Sequence, residues 1–145
     1  MFGKLKELRE YEGYTQEDIA KVLKVKRSTY AGWESGKDII PFRKLNMLAN
    51  FYHTTMDYLV GNSPTRKQVL EIQTIDTKVV SKNLREFRKS KGLTQKEFAE
   101  KITTSQANIH KYENDKCLIT TNYALEFSKQ YNYSLDKLIE EKKNN

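Results

Sequence analysis

The chain has 145 residues, with 26 Lys and Arg against 19 Asp and Glu and a formal net charge of +7. That length suits one ordinary domain or two small ones, and a mean hydropathy of −0.80 is low for one well-filled core but adequate for two compact helical units. No apolar run approaches a membrane span, the opening Met1-Phe2-Gly3-Lys4 turns charged early for a secretory signal, and the single Cys117 excludes an internal disulfide or a Cys-built zinc cage; a cytoplasmic, basic protein is expected.

Two Pro and six Gly are few breakers, so helix should dominate. Leu5, Leu8 and Arg9 share one helix face, and Gly13 can close that helix in the left-handed conformation. Thr15 is a natural N-cap for a helix over 16–23, with Asp18 at N3 and an inner stripe of Ile19, Ala20 and Leu23. After a short break a helix over 27–34 turns Tyr30 and Trp33 inward. Gly36 suits an αL position, Pro41 opens a fourth helix with Leu45, Leu48, Ala49 and Tyr52 inward, and 55–59 makes a short fifth. In the next segment Ser63-Pro64 can start a helix, whereas Val69–Ile75 is β-branched and partly alternating, so helical and extended forms stay open there. Asp76 or Thr77 then caps a helix running through Val79, Val80, Leu84 and Phe87.

From that point the chain repeats itself. Gly13-Tyr14-Thr15-Gln16 returns 79 residues on as Gly92-Leu93-Thr94-Gln95. The same offset pairs Leu5 with Leu84, Arg9 with Arg88, Ala20 with Ala99, Glu34 with Glu113, Lys37 with Lys116 and Leu59 with Leu138, without a gap. Class persists where identity is lost, as in Ile19/Phe98 and Trp33/Tyr112. The expected organisation is all-α: a five-helix domain over 1–61, a linker over 62–81, and a second such domain with a short tail over 82–145.

The string Thr15-Gln16, Ala20, Tyr30, Trp33-Glu34-Ser35-Gly36-Lys37, repeated as Thr94-Gln95, Ala99, Ile109, Tyr112-Glu113-Asn114-Asp115-Lys116, resembles the Cro/C1-type (XRE) family of lambda-repressor-like helix-turn-helix domains. The resemblance covers about four-fifths of the chain and implies two tandem helix-turn-helix domains. One helix of each pair would sit over the phosphate backbone while the next enters the major groove of double-stranded DNA. It implies that Gln16 and Gln95, at the start of the second helix, meet phosphates. Lys26, Arg27, Ser28 and Thr29, with Ala31 and Gly32 also outward, and in the second copy Ser105, Gln106, Ala107, Asn108, His110 and Lys111, would face the groove. Their chemistry suits it, since Arg and Lys bind guanine, Gln and Asn bind adenine, and Ala meets the thymine methyl. Lys37, Arg43 and Lys116 would lie along the passing backbone. The resemblance also makes Arg9–Glu34 and Arg88–Glu113 structural pairs, and Tyr30, Trp33 and Tyr112 core residues rather than stacking platforms.

This chain departs from the family where Gly is common in the turn, carrying Lys24 and Thr103 instead. β-Branched Thr fits αL poorly, so the second copy is expected to turn differently. It also has Asp115 for Gly36 and Thr120 for Pro41, and a structural or dimerising role for it stays open.

The function implied is a sequence-specific transcriptional regulator, a bacterial or phage repressor; the alternative is an antitoxin that holds a toxin through Val69–Ile75 and autoregulates through its helix-turn-helix. No Ser/His/Asp set, paired acids or phosphate loop point to an enzyme, and no cofactor is expected. His53 and His110 lack ligand spacing, so no metal is expected either. No membrane partner is implied, while a homodimer and a protein partner bound through the linker or second domain stay open. A linker of about 20 residues would reach roughly 65 Å extended or roughly 30 Å helical, enough to carry the second domain along a duplex.

Overall fold

The computed structural model describes residues 3–142. Among them the chain is all-α, with ten helices and no strand, and it divides between Gln73 and Thr74 into two compact units. The first contains α1 (Gly3–Tyr11), α2 (Gln16–Leu23), α3 (Arg27–Ser35), α4 (Phe42–Phe51) and α5 (Met56–Leu59). The second repeats them as α6 (Thr77–Ser90), α7 (Gln95–Lys101), α8 (Gln106–Glu113), α9 (Thr121–Tyr131) and α10 (Leu135–Leu138).

Local sequence explains where these helices begin. Thr15 accepts from the backbone N–H of Asp18 while the Asp18 carboxylate accepts from Thr15 N–H, and Thr94 and Glu97 repeat that capping box. Thr55 and Ser134 cap the short fifth helices by accepting from the N–H groups of Tyr58 and Lys137, without the reciprocal bond. Asp76 accepts from Lys78 N–H and starts α6, as its position before the apolar stripe of Val80 and Leu84 predicts. Pro41 precedes α4 as its N-cap instead of entering it, and its carbonyl accepts from Leu45 at 2.9 Å. Thr120 does the same for Ala124, also at 2.9 Å, so the Pro-to-Thr difference leaves the helix start unchanged.

In the first unit Leu5, Ile19, Leu23, Tyr30, Ile40, Leu45, Leu48, Met56 and Leu59 are fully buried. In the second, Phe98 stands for Ile19, Ile109 for Tyr30, Ala124 for Leu45 and Phe127 for Leu48, all of them buried. Volume lost at Tyr30 and Leu45 is regained at Ile19 and Leu48, which keeps both interiors filled. Phe87, the counterpart of Leu8, joins this larger aromatic core, its ring centroid 5.0 Å from Phe127 and 4.8 Å from Tyr131.

One expectation changes. The second copy does not turn differently: Thr103 adopts αL with φ 63°, beside 58° at Lys24. The following amides bond identically, Val25 to the Ala20 carbonyl and Thr104 to that of Ala99. Packing of α7 on α8 overrides the β-branched side chain's preference, which costs about 1–2 kcal/mol. Within the linker expected over 62–81, residues up to Gln73 cluster with the first unit, and Thr77–Ser81 begin α6, the helix that the cap at Asp76 or Thr77 predicts. Residues 62–76 contain no helix. Extension prevails because their backbone is bonded by the first unit, with Val69 N–H donating to the His53 carbonyl at 2.9 Å.

Thr103→Gly should stabilise the second unit by about 0.5–1 kcal/mol, since relief of the αL penalty exceeds glycine's added chain entropy. A urea titration followed by circular dichroism measures this, and an unchanged or lower midpoint would show that Thr103 carries no strain.

Candidate nucleic-acid interface

Each helix-turn-helix pair is fastened to its unit by one arginine. Arg9, on α1, donates from Nε and Nη2 to the two carboxylate oxygens of Glu34 at 2.9 and 2.7 Å, and from Nη1 to the Tyr14 carbonyl at 2.8 Å. Arg88, on α6, makes the same three bonds to Glu113 and Leu93, at 2.7, 2.9 and 2.8 Å. The bidentate fork holds the end of α3 or α8, and the third bond holds the loop that leads into α2 or α7. The Glu34 side chain is only 3% exposed. Burial alone would raise its pKa, but hydrogen bonds, the Arg9 guanidinium's among them, hold it below the usual carboxylate range.

With its inner face fixed, α3 leaves its first turn in solvent. Arg27, Ser28 and Thr29 are exposed, as is Lys26, an N-cap whose side chain bonds none of the helix's free N–H groups. Arg27 Nη1 donates to Gln16 Oε1 at 3.2 Å, so two sequence-predicted contacts from different helices meet across the turn. Lys37 and Arg43 are exposed farther on. Lys44, which sequence reasoning passed over, donates to the Leu23 carbonyl at 2.7 Å and satisfies an end of α2. Gly32 is not outward as the resemblance implied. It is buried, and a Cβ there would lie 3.1 Å from Asp38 Oδ2.

The second unit presents a different surface. Gln106, Ala107, His110, Lys111 and Lys116 are exposed. Ser105 is also exposed, but its hydroxyl is the N-cap of α8 and accepts from Asn108 N–H at 3.1 Å. The Asn108 amide donates to Thr104 at 2.9 Å and is half-buried. Gln95 donates to Glu113 at 3.2 Å. Ser105, Asn108 and Gln95 are therefore partly committed within the unit, and Gln106, Ala107 and Lys111 form the open part of the predicted set. No cluster of three or more His, Cys, Asp or Glu suited to a metal occurs among the described residues. No described helix is long and apolar enough to cross a membrane.

The helix-turn-helix family model matches the chain twice, over residues 5–59 and 84–138. An uncharacterised HTH-type transcriptional regulator, YobD of Bacillus subtilis, is 32% identical over 84 residues, covering 58% of this chain and 67% of that protein. The HTH-type transcriptional regulator AnsR of the same organism is 36% identical over 74 residues, covering 49% and 64%. The HTH-type transcriptional activator BcrR of Enterococcus faecalis is 37% identical over 58 residues, covering 40% and 28%. The matched part of the chain thus spans about two thirds of the first two relatives and much less of the third. No solved structure gives a significant match.

Arg9→Ala, which leaves Glu34 buried and unpaired, should destabilise the first unit by about 3–5 kcal/mol, whereas Arg9→Met with Glu34→Leu should cost much less. Urea unfolding of the three proteins measures both, and equal losses would contradict a burial-driven penalty. Asp18 and Glu97, held by the backbone N–H groups of Thr15 and Thr94, also titrate below their ordinary values, as Glu34 does. Because these folded pKa values are depressed, their stabilisation is complete above about pH 4.3 and is lost as pH falls toward the folded values. The urea midpoint should hold steady from about pH 7 to about pH 5 and drop by about pH 3; a flat profile would contradict the assignment.

Proposed function

The chain belongs to the helix-turn-helix family, and from that membership we propose that it is a transcriptional regulator that binds double-stranded DNA in a sequence-specific way through both units. The observation that carries this is the exposed first turn of α3, Lys26-Arg27-Ser28-Thr29, on a helix whose opposite face is locked into the core. Arg27 and Lys26 suit guanine, and Ser28 and Thr29 bond either bases or phosphate. Gln16, Lys37 and Arg43 supply backbone contacts in the first unit, and Gln95 and Lys116 do so in the second. Gln106, Ala107 and Lys111 differ from their counterparts in α3, with Ser105 and Asn108 in supporting places. The two half-sites therefore differ in sequence, unlike the palindrome of a homodimer. Repression is the simpler mode, because occupying a promoter needs only binding.

A second reading, an antitoxin-like protein that also holds a toxin, draws on Leu70 and Ile72, which are 69% and 67% exposed in the extended segment. Leu70→Asp with Ile72→Asp would then abolish co-purification with the product of an adjacent co-transcribed gene and leave DNA affinity intact. An unaltered complex would remove this reading.

Selection from random duplex DNA should return a two-part, non-palindromic site. With about 6–10 phosphates neutralised, affinity should fall roughly 10³–10⁵-fold between about 50 and about 200 mM salt; a flat salt titration would count against it. Arg27→Ala should cost about 1–3 kcal/mol and relax preference at one base pair, whereas Lys37→Ala should weaken all sequences alike. Sequence-independent losses from both would reverse that assignment. Gln106→Ala with Lys111→Ala should erase half of the hydroxyl-radical footprint, and a full footprint at full affinity would mean that the second unit reads no DNA.

A further inference from the structure

The far end of the segment after α5 is captured by α4. Asn46 and Asn50 lie one helical turn apart on the same face. Asn50 Oδ1 accepts from Gln73 N–H at 2.9 Å while its Nδ2 donates to the Gln73 carbonyl at 2.8 Å. Asn46 Nδ2 donates to that same carbonyl at 3.0 Å, and Asn46 is only 7% exposed. The backbone N–H and C=O of one residue, Gln73, are thus both held, by two side chains. Upstream, Arg66 bridges to Glu12 at 2.9 Å and donates to the Tyr52 carbonyl at 3.0 Å, so the strap is bound along its length. The repeat offset places Leu125 and Lys129 where the first unit has Asn46 and Asn50. Neither can both donate to and accept from a peptide group, so the clamp is not part of what the two copies share.

The clamp leaves Thr74–Asp76 between Gln73 and α6. Three residues span at most about 11 Å, against roughly 65 Å for a free segment of about 20. We propose that Asn46 and Asn50 are specificity-determining residues for DNA spacing: by fastening Gln73 they shorten the tether, so that both units engage only half-sites at one separation. This rests on the two-unit DNA binding proposed above. A tether too short to span two sites gives a second site an effective concentration near zero, whereas a longer flexible one restores the millimolar range. The amides touch no DNA and act through the strap.

The test uses the full chain and the two-part duplex selected by the wild-type protein, together with the same duplex carrying about ten extra base pairs between its halves. One added turn keeps both halves on the same face but moves them about 34 Å farther apart. That exceeds the clamped hinge and lies within the roughly 54 Å of a strap released over 62–76. Both asparagine variants therefore also carry Arg66→Ala, which frees the strap's upstream end. Arg66→Ala alone is the control expected to keep the wild-type penalty. Wild type should lose at least about tenfold in affinity on the lengthened duplex, falling to that of a single half-site. Asn46→Leu with Asn50→Lys, the residues of the second copy, should lose less than about threefold. Asn50→Asp, which keeps the acceptor and removes the donor, should fall between them. Comparing two duplexes with the same protein cancels any general effect of the added charge. Free of DNA, spin labels on Cys117 and on Lys21→Cys should give a broader distance distribution in the double variant than with the clamp intact. A double variant that keeps the wild-type spacing penalty, or an unbroadened distribution, overturns the clamp's role. Wild type binding both duplexes no better than a half-site overturns the two-unit binding itself, and the spacing role with it, even where the labels report release.

Discussion

Everything recognisable in each unit depends on one guanidinium that holds two partners by three bonds. Arg9 and Arg88 each join the first helix of their unit to the end of the third and to the loop before the second. The pairs are poor candidates for net stability, because withdrawing both charges from water offsets most of their attraction. That stability comes from the apolar interior, where each fully buried Leu, Ile or Phe contributes about 1.5–3 kcal/mol. Apolar packing tolerates small rotations of a helix, whereas a two-point fork with a third bond to a fixed carbonyl does not. The arginine therefore decides which residues of α3 and α8 are left outside.

That division explains how two copies of one domain have diverged. Buried positions changed in compensating fashion, Phe98 and Phe127 making up for Ile109 and Ala124. The turn between the paired helices survived the loss of glycine's freedom, because the cost of an αL threonine is small beside the packing it would disrupt. The exposed first turns of α3 and α8 answer to neither constraint, and there the residues share almost nothing: Lys26-Arg27-Ser28-Thr29 on one, Ser105-Gln106-Ala107-Asn108 on the other. Even their capping differs. Ser105 and Asn108 spend side-chain bonds at the start of α8, while the N-cap of α3 makes none and Arg27 alone of its four bonds, to Gln16, so the same four positions are differently committed in the two units.

A similar contrast separates the two stretches that follow the fifth helices, one held by α6 and the other by α4. In the second unit Asn83 donates to the carbonyls of Leu138 and Glu140 at 2.9 and 3.0 Å and fastens the stretch after the fifth helix. In the first unit Lys4 stands at the equivalent place, and the fastening is done from α4 by Asn46 and Asn50. Each copy has recruited a different asparagine face to hold the chain that follows its fifth helix, since an amide can both donate to and accept from a passing peptide.

The residues alone determined the repeat, the helical class, the helix starts and the buried stripe. These are carried by caps within three residues and by apolar spacing of three and four, all of which act over one helical turn. They also determined the chemistry of the outward residues and the partners Arg9–Glu34 and Arg88–Glu113, the pairs through the family resemblance. Only the tertiary structure decided that Gly32 faces Asp38, that Thr103 keeps the turn, that Asn108 and Gln95 spend hydrogen bonds at home, and that the segment before α6 is strapped down and not loose. The Gly32, Gln95 and Gln73 outcomes turn on a group meeting a partner brought near by folding, as when Asn50 reaches Gln73 across 23 residues, while Thr103 is held by the packing of α7 on α8. Local propensity was nearly balanced at these places, so a bond or contact worth about 1 kcal/mol settled them, and a pattern read along one dimension has no record of which peptide will pass within 3 Å.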